Sequence, residues 1–124
     1  MPTAKHILCV VEDPIVRQTK KMVLEHIGFA VMDVGTLREV EYVTSRSAFD
    51  LAIIGRSLSE ESKRLMADAI RRNVPGTPIL EMCNVSPVIT GADHVLRSTN
   101  PEDLAEMVKM ILHVPKTNAI KASL

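Results

Sequence analysis

The sequence predicts an α/β fold, one parallel sheet with helices on both faces. Three observations predict it. Ile7 to Val11 and Leu51 to Ile54 are continuous apolar runs, the pattern of strands buried on both sides. Segments with apolar residues at helical spacing separate these runs from one another and from shorter ones at Ala30 to Val34, Ile79 to Met82 and Val95-Leu96. Strand and helix thus alternate along the chain, and right-handed crossovers between parallel strands favour a doubly wound sheet. The 124 residues suit one domain with one ordinary core.

Each element follows from local chemistry. After the first strand a helix starts near Pro14, because a first-turn residue needs no N–H. Ile15, Thr19, Met22, Val23, His26 and Ile27 then fall at helical spacing, and Gly28 closes the helix. After the second strand, Thr36 and Glu39 have capping-box spacing. The third helix is expected from about Ser57 to Ser59, with Glu60 and Glu61 at the positive end of its dipole and Leu65, Met66, Ala69 and Ile70 as its apolar face. Ser57, Ser59 and Ser62 are expected to act as caps. The last helix has Asn100 as N-cap, Pro101 as first residue and Glu102 and Asp103 in its first turn. Leu104, Met107, Val108 and Ile111 form its core stripe, and Pro115 stops it. Residues 1–115 are therefore expected to form the domain, and 116–124 a flexible C-terminal tail.

Composition excludes several functions. Fifteen basic and fifteen acidic residues cancel, which argues against a phosphate backbone as the main partner. One Tyr, two Phe and no Trp offer no platform for stacking bases. Cys9 and Cys83 form no CxxC motif, and His6, His26, His94 and His113 lack metal-ligand spacing. No apolar run approaches the ~18 residues of a membrane span, and the run after Lys5-His6 is too short for a signal peptide. A cytoplasmic protein that binds neither nucleic acid nor membrane is the expectation.

In such sheets the functional crevice lies at the carboxyl ends of the strands. Read there, the junctions resemble the receiver domain of bacterial response regulators. The run Ile7-Leu8-Cys9-Val10-Val11-Glu12-Asp13-Pro14-Ile15-Val16-Arg17 resembles that family's first strand, acidic cluster, Pro and Arg. Gly28-Phe29-Ala30-Val31, Asp50-Leu51-Ala52-Ile53-Ile54, Thr77-Pro78-Ile79-Leu80, Gly91-Ala92-Asp93 and Pro101-Glu102-Asp103-Leu104 follow in the family's order. The resemblance implies a flavodoxin-like (βα)5 domain with strand order 2-1-3-4-5.

The chemistry of the family is missing. Its phosphoacceptor aspartate corresponds to Gly55, and its acidic pair falls on Val11-Glu12. Its Ser/Thr corresponds to Cys83, its lysine to Ser98, the proline after it to Thr99, and its switch aromatic to Val95. Arg97 is adjacent, but strand alternation points it away. Phosphoryl transfer to protein needs a carboxylate nucleophile, and Mg²⁺ needs oxygen ligands, usually with one or two carboxylates. Val11, Glu12, Gly55, Cys83 and Ser98 therefore read as a degenerate phosphorylation pocket. Glu12 and Asp13 are weak candidates for a divalent cation, with solvation or helix capping the commoner role; no cofactor is expected and Mg²⁺ binding should be weak or absent. Cys83 is expected to be a buried small residue, since no base beside it lowers its pKa.

One segment departs in length. Only seven residues, 84–90, separate Cys83 from Gly91, where the family fits a helix, so the fourth helix should be shortened to about one turn. Val85, Val88 and Ile89 either cover the sheet or form an exposed contact patch for a partner. Since the chain ends soon after the last helix, no output domain is expected. The resemblance implies a stand-alone, non-enzymatic signalling module of a two-component phosphorelay that acts by protein–protein binding. Its expected partners are a histidine kinase, another response regulator or a second copy. The alternatives are a receiver phosphorylated at Asp13 or Glu12, or a small-molecule or nucleotide binder on the same architecture. A nucleotide binder should carry a phosphate cradle after the first strand, where this chain has Glu12-Asp13-Pro14.

Overall fold

A computed structural model describes residues 4–112. The stop at Pro115 and the tail expected at 116–124 lie outside the described residues. Five strands, β1 (His6–Val10), β2 (Ala30–Val34), β3 (Leu51–Ile54), β4 (Ile79–Met82) and β5 (His94–Leu96), form one sheet. Its order is β2-β1-β3-β4-β5, and every pairing is parallel. Four helices connect or follow the strands: α1 (Pro14–His26), α2 (Leu37–Thr44), α3 (Glu60–Asn73) and α4 (Pro101–Ile111). Among the described residues, no helix is long and apolar enough to cross a membrane.

Alternation along the strands divides the core into two layers. Ile7, Leu51, Ile53, Leu80 and Met82 pack with Leu24 of α1 and with Leu104 and Val108 of α4. Leu8, Val10, Ala52, Ile54 and Ile79 point the other way, onto Val40 of α2 and Met66 and Ile70 of α3. Thr36 and Glu39 form the expected capping box. Asn100 caps α4 with Pro101 in its first turn, and Gly28 ends α1 with φ +106°, a backbone state that favours glycine.

Two expectations need correction. The apolar face assigned to the first helix is rotated. Ile15 and Met22 are 77% and 62% exposed, and the residue that α1 buries is Leu24. Leu24 and Ile27 follow the sheet-facing period, and Ile15 and Met22 lie outside it. Leu65 of α3 is likewise exposed, while Met66, Ala69 and Ile70 are buried as expected.

The shortened segment between β4 and β5 holds one hydrogen-bonded turn, in which Ala92 N–H donates to the Ile89 carbonyl at 3.3 Å. A side chain takes over part of the work of a helix here. Glu81 of β4 is fully buried, and its carboxylate accepts from the N–H groups of Val88 and Ile89 at 2.9 and 3.0 Å. Buried Lys63 of α3 donates to the same carboxylate at 3.1 Å and to the Met82 carbonyl at 2.8 Å. Ile89 is consequently buried and Val88 is packed against the α2–α3 layer. Of the three residues considered as a partner surface, only Val85 is exposed, at 79%; Val88 and Ile89 instead cover the sheet.

Candidate functional site

The crevice at the carboxyl ends of β1, β3 and β4 brings together Val11, Gly55 and Cys83, all buried. Gly55 N–H donates to the Val10 carbonyl at 2.8 Å, which carries the β1–β3 ladder one residue past the end of β3. A Cβ on Gly55 would lie 3.0 Å from that carbonyl oxygen and 3.2 Å from Val11 Cγ2. Those contacts are too close for ordinary packing. The apolar residue at position 11 and the missing side chain at position 55 are thus two sides of one fit.

The residue that dominates the crevice is Arg56, which sequence reasoning passed over. Its guanidinium donates from Nη1 to the Cys83 carbonyl at 2.9 Å and to the Arg97 carbonyl at 3.2 Å, and from Nη2 to the Ser98 carbonyl. A planar, permanently charged fork suits this bridging. It ties the end of β3 to the end of β4 and to the connection between β5 and α4. The available signal was a basic residue directly after a buried strand, at the crevice end of the sheet.

The remaining predicted residues face elsewhere. The Ser98 hydroxyl donates to the Asp103 carboxylate and accepts from Asn100 N–H at 3.0 Å, so it serves the start of α4. Arg97 turns away from Gly55, its Nε donating to the Val85 carbonyl at 2.9 Å. Asp13 caps α1, accepting from Ile15 and Val16 N–H at 2.8 and 3.2 Å, and Glu12 is exposed. Val95 is half-buried on the edge strand β5. Cys83 is a buried free thiol. Cys9, below α1, is pushed up to about 12 by burial, which makes it inert as a nucleophile.

These residues do not fit a Mg²⁺ ion. Among the described residues, no three His, Cys, Asp or Glu side chains converge as metal ligands. Asp13 is engaged in capping, Glu12 stands as a single exposed carboxylate, and the Arg56 cation spans the crevice.

No family model and no curated protein matches the chain. Solved structures do match, and they assign the fold to the CheY-like receiver domains of response regulators. A response regulator receiver domain protein of Methanospirillum hungatei shares 24% identity, covering 89% of this chain and 94% of its own, with a TM-score of 0.78. The chemotaxis response regulator CheY4 of Vibrio cholerae shares 24%, covering 88% and 99%, with a TM-score of 0.76. A receiver domain of Methylobacillus flagellatus shares 17%, covering 88% and 99%, with a TM-score of 0.73.

Proposed function

We propose that the chain is a receiver-like module of two-component signalling that works by binding other proteins, without accepting a phosphoryl group. The observation that carries this reading is the Arg56 bridge. In a receiver, a phosphoryl group on the acceptor biases a two-state surface. Here Gly55 offers no nucleophile, and a fixed cation already joins the ends of β3 and β4 to the β5–α4 connection. The bridge favours one arrangement of that region without any covalent input. Partners of the expected kind are a histidine kinase, another response regulator or a second copy. An enzymatic role is not part of the reading, since the crevice assembles no nucleophile with a base beside it.

Intact-mass measurement after exposure to acetyl phosphate and Mg²⁺ tests the proposal. The expected result is an unmodified chain. A phosphoryl adduct on Glu12 or Asp13 would overturn it and establish a receiver with a non-standard acceptor.

A further inference from the structure

Lys20 occupies a position that the core-facing side of α1 would normally give to an apolar residue. It lies one turn before Leu24, the residue that α1 buries. The side chain is half-buried, and no carboxylate among the described residues pairs with it. Beside it is a cleft of about 230 Å³ between α1 and α4. Ile15, Val16 and Val23 form one wall, Leu104 of α4 another, and Met82 of β4 also lines it.

Charge and volume select an occupant. Burial lowers the pKa of Lys20; Cys9 opposes this, and the nearby Arg56 charge adds to it. An anion beside Lys20 would offset the cost of holding that ammonium away from water. The other end of the cleft is unsuited to an anion, because the first turn of α4 carries Glu102 and Asp103 and its Glu102 N–H is already taken by the Asn100 side chain. A cavity of ~150 Å³ holds benzene; in proportion, this cleft holds on the order of nine non-hydrogen atoms.

We propose that the cleft between α1 and α4 binds a small free carboxylic acid, its carboxylate on Lys20 Nζ and its apolar body against Met82 and Leu104. The cleft adjoins the degenerate crevice without sharing its residues, and the proposal does not depend on the signalling role.

Benzoate, with a charged head on a compact apolar ring, is a suitable probe, and benzamide is its neutral counterpart. In a methyl NMR titration of the full chain, benzoate should give saturable shifts confined to Ile15, Val16, Val23, Met82 and Leu104. Benzamide should bind at least tenfold more weakly. Lys20→Met should erase that preference, and its thermal midpoint should not fall, since the substitution removes an unpaired cation from a core-facing position. Val23→Phe fills the cleft and should block both probes. Shifts that fail to saturate, that spread over the surface, or that persist at equal affinity in Lys20→Met would overturn the proposal. A short glutamate peptide that competes with benzoate at equal affinity would also overturn it, by assigning the cleft to a partner's side chain.

Discussion

Gly55 is defined by what surrounds it. The Val10 carbonyl and the Val11 methyl leave its Cβ position 3.0 and 3.2 Å of clearance. Gly55→Asp alone should therefore lose about 1–3 kcal/mol of stability through overpacking, measured by urea denaturation. The same variant should remain unphosphorylated by acetyl phosphate, because Val11 stands where one of the paired carboxylates is needed and the Arg56 guanidinium spans the crevice. The place of Gly55 was legible from sequence, since the apolar run Leu51–Ile54 before it sets it at the end of a buried strand. Arg56 was not. A basic residue after a strand is ordinarily solvated, and only the three carbonyls converging from Cys83, Arg97 and Ser98 give it a role.

At the scale of an element, the connection from β4 to β5 depends on a carboxylate. Glu81→Ala would leave the Lys63 ammonium buried without a counter-charge and the Val88 and Ile89 N–H groups without an acceptor. Removing one partner of a buried pair costs about 3–5 kcal/mol, and the variant should show a loss of that order in chemical denaturation. Replacing both charges, as Glu81→Leu with Lys63→Met, should recover only part of it, because each buried N–H left unpaired still costs about 1–3 kcal/mol. The short span and the apolar residues within it were legible in the sequence. The pair was not read there, although a lone acid inside the four-residue buried strand Ile79–Met82 already implied an internal cation. Helix ends were readable because their chemistry is local: Thr36 with Glu39, Asn100 with Pro101, and Gly28. The buried face of α1 was misread because Ile15 and Met22 are apolar yet exposed, and periodicity cannot tell a core stripe from a surface one.

For the whole molecule, two carboxylates contribute stability that acid removes. Burial would raise the Glu81 carboxyl, but the Val88 and Ile89 N–H groups and the Lys63 ammonium overcome it and hold it below its usual value of 4.5. The Gly35 N–H, with help from Thr36, holds Glu39 low as well. Both folded-state values lie below the unfolded ones, so the stabilisation is fully present above about pH 4.5 and fades as pH falls through the folded-state values. Urea denaturation should give a stability nearly flat in these two groups from pH 7 to 5 and falling below that, with a shallower fall in Glu39→Gln. The parallel sheet with helices on both faces and the carboxyl-end crevice followed from the alternation of apolar runs with helical segments, and the strand order from the resemblance to receiver domains. The cleft beside Lys20 did not, because a lysine on a helix reads as solvated until a neighbouring helix is placed over it.

The fit of Val11 against Gly55 also couples the two positions. A side chain introduced at position 55 would meet the Val11 methyl and the Val10 carbonyl together, so trimming the valine to alanine in the same molecule should relieve part of the crowding and leave the carbonyl's share in place.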